Sequence, residues 1–146
     1  MIYFDATFIA KLYLREKESE EVREMVRTMK ATVASSILGK METEAAFHRK
    51  LRERELTSSN FRFLHQQFQG DLEEGRIKWL LISQPVIDLV GETFRTLPDN
   101  VFLRTGDAIH LATASEAGFK EIYSNDKHLL AAAALFKLKG VNPLAK

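Results

Sequence analysis

The sequence predicts an α/β fold with a small parallel sheet of four or five strands, covered by helices on both faces. Three observations carry that reading. Short apolar runs, such as Ile2-Tyr3-Phe4 and Ile122-Tyr123, are too brief for helices and read as buried strands. Longer stretches between them repeat apolar residues at helical spacing, as Val22, Met25, Val26 and Met29 do. The two kinds of segment alternate along the chain, and strands separated by helices form parallel sheets with helices packed on both sides.

Taken in order, Ile2 to Phe4 is the first strand, Ala6 to Leu14 a helix and Ser19 to Lys30 a second helix. Thr32 to Ala34 is the second strand. Ser35 or Ser36 supplies a hydroxyl to cap a long helix running to about Glu55. Thr57-Ser58-Ser59-Asn60 breaks that helix and starts another, which carries Phe61, Leu64 and Phe68. Ile77 to Ile82 is the third strand. Pro85 sits in the first turn of a helix to about Thr96, where its missing N–H costs nothing. Leu97-Pro98-Asp99-Asn100 is a turn. Thr105 to Ala117 is a helix of small residues closed by Gly118. Glu121 to Ser124 is the fourth strand, Lys127 to Leu135 the last helix, and Val141-Asn142 an edge strand. The 146 residues and 45% hydrophobic content suit a single domain spanning 1–146.

Composition narrows the function. The chain has no cysteine, which excludes disulfides, thiolate zinc sites and a cysteine nucleophile and suits a reducing, cytoplasmic setting. Its start is interrupted by Asp5 and lacks the basic leader of a signal peptide, and no apolar run approaches a membrane span of roughly 18 residues. A net charge of +1 and a pI of about 8.0 leave nucleic-acid contact to local patches. The densest patch, His48 to Arg54, reads on charge alone as the solvated flank of a helix.

Four acids stand out by position. Asp5 and Asp126 follow strands, so both leave the sheet at one edge if those strands are parallel neighbours; in such sheets ligands bind beyond the carboxyl ends of the strands. Glu42 lies on or beside an apolar stripe of Leu38, Met41 and Ala45, either bordering the core with an arginine partner or facing a site. Glu44 points elsewhere around the helix. Asp107 opens a helix that is otherwise apolar or small; a carboxylate there complements the helix dipole whether or not it serves a site. His110, one turn on, reads as a core histidine with Asp107 within reach. Buried carboxylates need partners or a metal, and a cluster of them suits a hard divalent cation.

Asp5-Ala6-Thr7, Lys40-Met41-Glu42, Gly106-Asp107-Ala108-Ile109-His110-Leu111-Ala112-Thr113-Ala114 and Ser124-Asn125-Asp126-Lys127-His128-Leu129 resemble, in that order and over essentially the whole chain, the PIN domain, and most closely the VapC toxins of toxin–antitoxin pairs. The resemblance implies a PIN-like three-layer α/β/α sandwich and a metal-dependent endoribonuclease that leaves a 3′-hydroxyl and a 5′-phosphate. It places the acidic quartet on Asp5, Glu42, Asp107 and Asp126. Asp5 and Asp107 are then the principal ligands of Mg²⁺ or Mn²⁺. Glu42 binds a metal directly or through water, or holds the attacking water, and Asp126 serves a second metal or a metal-held water. Thr7 and Ser124 orient water or phosphate, and Asn125 helps to orient water. The implied partners are an RNA substrate, a second copy of the chain and an antitoxin whose tail lies along a helical groove toward the acids, with Met29, Phe61 and Phe68 as exposed apolar residues for association. A haloacid-dehalogenase-like phosphatase is excluded because Thr7 stands where its second acid belongs. A receiver-type switch is excluded because Ser83-Gln84-Pro85 follows the third strand without an acid. The alternative that stays open is a PIN-like binding module with weak or no catalysis.

Overall fold

A computed structural model describes residues 1–145. The elements are β1 (Ile2–Tyr3), α1 (Ala6–Tyr13), α2 (Ser19–Met29), β2 (Val33–Ser36), α3 (Ile37–Arg52), α4 (Ser58–Glu73), β3 (Ile77–Leu80), α5 (Gln84–Thr96), α6 (Thr105–Glu116), β4 (Glu121–Tyr123), α7 (Lys127–Ala132), a 3₁₀ turn (Ala133–Phe136) and β5 (Lys139–Val141).

All strand pairs are parallel. They form a three-stranded sheet, β1-β2-β3, and a two-stranded one, β4-β5, rather than one sheet of four or five strands. A single bridge, Phe4 with Tyr123, joins the two, and the Asp5 amide donates to the Tyr123 carbonyl at 3.2 Å. The spatial order is therefore β3-β2-β1-β4-β5. The chain builds outward from β1 through β2 to β3, then returns to the other side of β1. The gap between the carboxyl ends of β1 and β4 is thus the switch point at which open parallel sheets bind ligands.

Strand alternation divides the core. Ile2 and Phe4 face a layer built on α1, α2, α3 and α4, with Phe8, Ile9, Val22, Phe47 and Phe68. Tyr3 faces the opposite layer, with Leu111, Ile122, Leu129 and Phe136. Both layers are closely packed, which accounts for the two-sided covering that the alternation of segments predicts.

Differences from the sequence reading lie at element ends and on helix faces. The second strand runs on to Ser36, whose side chain accepts from the Leu38 amide and caps α3. Helix α3 stops at Arg52, because Arg54 turns into the left-handed region (φ 61°) and the Glu55 amide bonds back to Lys50. The third strand ends at Leu80, and the last helix tightens into the 3₁₀ turn after Ala132. The buried stripe of α3 is Gly39, Thr43 and Phe47, whereas Met41 and Ala45 are exposed. A threonine sits in the core because its hydroxyl is satisfied by the Gly39 carbonyl at 2.7 Å. Phe68 is fully buried and Phe61 packs partly against the core, so of the residues expected to be exposed only Met29 is. The exposed apolar surface lies instead on Phe63, Leu81, Ile87, Phe94 and Phe102. The edge strand is Lys139–Val141, where Gly140 lets β5 press against α7; a Cβ there would meet the Leu130 carbonyl oxygen at 3.1 Å.

Candidate active site

Asp5 is the N-cap of α1, and it is buried at the switch point. One oxygen accepts from the Thr7 hydroxyl at 2.7 Å and the Phe8 amide at 3.2 Å; the other accepts from the Ser124 hydroxyl at 2.5 Å. The Ser124 oxygen in turn accepts from the Asp126 amide at 2.9 Å. A chain of hydrogen bonds therefore ties the end of β1 to the turn after β4. Burial pushes the Asp5 carboxyl above its ordinary range; nearby His110, Ser124, Thr7 and the Phe8 amide pull the other way without cancelling it. Ser124 is itself fully buried and reaches Asp5 and the Asp126 backbone. The sequence reading aimed Thr7 and Ser124 at water or phosphate. Both hydroxyls bond the Asp5 carboxylate, because Thr7 stands in the first turn of α1, which Asp5 caps, and Ser124 follows β4 directly.

Asp126 caps α7, with one oxygen accepting from the His128 and Leu129 amides at 2.9 and 3.2 Å. Its other oxygen pairs with the Arg104 guanidinium. Burial alone would raise the Asp126 carboxyl, but the Leu129 amide, Arg104 and the His128 amide outweigh it and hold it below the usual carboxylate range. Asp107, in the first turn of α6, accepts from the same guanidinium at 2.9 Å.

Glu42 comes from α3. One oxygen meets His110 Nε2 at 2.6 Å, and the other points toward Gly106. His110 is buried, so its partner is Glu42 and not Asp107. A carboxylate only accepts, so Nε2 carries the proton. On its other side His110 Nδ1 shares a hydrogen bond of 2.9 Å with the Tyr3 hydroxyl, whose oxygen accepts from the Ser36 amide at 3.0 Å. Burial raises the Tyr3 hydroxyl far above its ordinary pKa and keeps it a donor. Gly39 makes this possible: a Cβ there would stand 2.6 Å from the Ser35 hydroxyl and 3.2 Å from the His110 ring.

Asp5, Glu42, Asp107 and Asp126 thus come from four elements and line one cavity of about 630 Å³. Thr7 and Asn125 share its wall. Ser124 lies behind it. Lys11, Arg49 and Arg104 bring positive charge to the same cavity. Patterning gave no sign of Lys11 or Arg104, and Arg49 was visible only as part of a basic helical flank. A larger cavity, about 910 Å³, lies between α1, α2 and α4, holds none of the four acids and meets the first at Leu14.

The donor set fits a hard divalent cation in kind, since all four groups offer carboxylate oxygens. Among the described residues, however, no three acids or histidines stand close enough together to ligate an ion as they lie. Carboxylates repel one another, and Arg104 already holds two of the four.

Comparison with known proteins decides the family. The PIN domain profile matches residues 2–135. The chain belongs to the PIN-domain family. Among curated relatives it is 32% identical over 117 residues to Ribonuclease VapC46 of Mycobacterium tuberculosis, covering 80% of this chain and 76% of that protein. Among solved structures it resembles FitAcB from Neisseria gonorrhoeae, with a TM-score of 0.75, 17% identity and full coverage of both chains. It also resembles a toxin–antitoxin complex from Klebsiella pneumoniae, with a TM-score of 0.68, 17% identity and full coverage of both chains. At these identities the two structures establish the PIN fold, and the fold agrees with the strand order and the place of the acids described above.

The raised Asp5 carboxyl has a pH signature. A group whose folded pKa lies above its ordinary value of 3.8 contributes stability that is full below that value and is lost as pH rises through the folded one. Asp126, held low, contributes in the opposite sense, and its part is lost as pH falls below about 3.8. In metal-free buffer, Asp5→Asn is expected to melt at or above the parent at neutral pH, with the gap closing as pH falls toward 4. A variant less stable than the parent by the same margin at every pH would contradict this assignment.

Proposed function

We propose that this chain is a metal-dependent endoribonuclease, the toxin of a toxin–antitoxin pair, acting on RNA in the cytoplasm. The observation that carries the reading is the convergence of Asp5, Glu42, Asp107 and Asp126 on one cavity at the sheet's switch point. Membership of the PIN family and likeness to a named ribonuclease support it.

Asp5 and Asp107 would be the main holders of Mg²⁺ or Mn²⁺, with Glu42 and Asp126 completing the set. A bound ion lowers the pKa of water and offsets charge that develops on the phosphate. The rest of the work falls to this chain's own groups. Thr7 and Ser124 keep the Asp5 carboxylate in one orientation, so it meets the ion without reorganising. His110, fixed by Tyr3, holds one Glu42 oxygen and leaves the other to take a proton from the attacking water. Arg49 on the cavity wall draws in the phosphate, while Lys11 is held by Glu16 and the Lys17 carbonyl. Water adds to phosphorus, the P–O3′ bond breaks, and the 3′ oxygen takes up a proton, leaving the 3′-hydroxyl and 5′-phosphate.

The larger cavity shares Leu14 with the acidic one and is lined by Leu12, Phe63 and Leu64 with Arg15, Arg23, Glu20 and Glu55, a groove of mixed apolar and charged character. We assign the antitoxin to that groove. A homodimer is supported by Ile87 and Phe94, both exposed and two turns apart on α5.

Purified chain is expected to cut RNA with Mg²⁺ or Mn²⁺ and to stop in EDTA. Asp5→Asn and Asp107→Asn should each lower the rate by about 100-fold or more, with an unchanged circular dichroism spectrum. Undiminished cutting by both variants would point to another site. Light scattering is expected to give a dimer that Phe94→Glu splits, and a monomer at high micromolar concentration would rule the dimer out. Phe63→Glu should weaken inhibition by the antitoxin; equal inhibition would remove the partner from the groove.

A further inference from the structure

We propose that Arg104 is a resident counter-cation of the acidic site, bridging Asp107 and Asp126, which a divalent ion must displace before it can bind; the inference rests on the reading that these acids hold a metal. Arg104 is the N-cap position of α6, and its backbone leaves the helix axis there (φ −82°, ψ 150°). That turn sends the side chain across the mouth of the cavity. Its Nε donates to Asp107 and one terminal nitrogen pairs with Asp126, twenty-two residues further along the chain. Among the described residues these are its only ion-pair partners.

The two ends of the bridge differ in freedom. Asp126 cannot turn away, because its other oxygen caps α7 through two backbone amides. Asp107 is anchored in the first turn of a largely buried helix, with its side chain only 13% exposed. Arg104 has a side chain 49% exposed and a long flexible stem on the solvent side. When a second cation competes for the carboxylates, the arginine is therefore the group that moves. A guanidinium offers one charge spread over a planar fork, whereas a divalent ion concentrates two charges on a point that carboxylate oxygens can approach more closely. Exchange is favourable once metal is abundant and unfavourable when it is scarce. Arg104 thereby sets the metal concentration at which the site assembles, and it keeps Asp107 and Asp126 paired below that concentration.

The test reads Mn²⁺ affinity without RNA. Free Mn²⁺ is followed by electron paramagnetic resonance during titration of the parent, Arg104→Gln and Arg104→Lys, with circular dichroism confirming that each is folded. Arg104→Gln removes two partly exposed ion pairs and is expected to bind Mn²⁺ about tenfold more tightly than the parent. Arg104→Lys keeps the charge but loses the fork, and should fall between the two. The parent's affinity should also gain more from added KCl than that of Arg104→Gln, after correction for the general salt effect, because salt weakens the competing pairs. Equal or weaker Mn²⁺ binding by Arg104→Gln, with the parent binding normally, would overturn the role of Arg104 and leave the metal site standing. No Mn²⁺ binding by any of the three proteins would overturn the metal site and this inference together.

Discussion

The fold and the site both depend on one buried carboxylate, Asp5. It sits where two small sheets meet through a single bridge, a junction with little backbone hydrogen bonding of its own. A buried charge without partners would be far too costly there. Two hydroxyls and a backbone amide meet it instead, and bonds to an ionised acceptor are the strong kind. The Ser124 hydroxyl passes the connection on to the backbone at Asp126, so the same interaction closes the sheet and orients the acid. The remaining burial cost is the strain that a cation could relieve. A site that is slightly unfavourable when bare and favourable when filled is what a metal-holding corner requires.

Two further devices hold the other acids. On one side, Ser36, Tyr3, His110 and Glu42 form a line of hydrogen bonds from β2 to the cavity. Such lines are valuable only when complete, since an unpaired buried polar group costs about as much as several good bonds return. On the other side, Arg104 clasps Asp107 and Asp126 at the cavity mouth. The wall is therefore stiff around Asp5 and Glu42, and at Asp107 and Asp126 the movable part is the exposed Arg104 side chain. That asymmetry suits a site that assembles around an ion instead of holding a finished cage.

Much of this was legible in the sequence. Alternating short strands and helices carried the α/β class, and the two acids after strands pointed to one edge, because chain order and parallel pairing leave little choice of where strand ends go. The limits were set by tertiary contacts that leave no periodic trace. Met41 looked like part of a buried stripe, but Thr43 took the core position once its hydroxyl bonded back to Gly39. Phe68 looked free and is fully covered, because α4 packs its aromatic face inward. The break between β1 and β4 could not be foreseen, since a single bridge or a full ladder follows from the same apolar runs. His110 was correctly placed in the core, but its partner depended on how closely α3 approaches α6, and that approach rests on Gly39. Arg104 was invisible for the same reason: an arginine at a helix start carries no pattern, and its importance comes from an acid twenty-two residues away.

The central claim is that four acids from four elements form one cation site at the junction of β1 and β4. Paramagnetic broadening in a ¹H–¹⁵N NMR spectrum tests it most directly, because substoichiometric Mn²⁺ erases signals only near where it binds. The account expects amides around Asp5, Glu42, Asp107 and Asp126 to vanish first, while those of α2 and the distal end of α4 persist. Broadening centred elsewhere, or spread evenly over the acidic surface of α2, would contradict it.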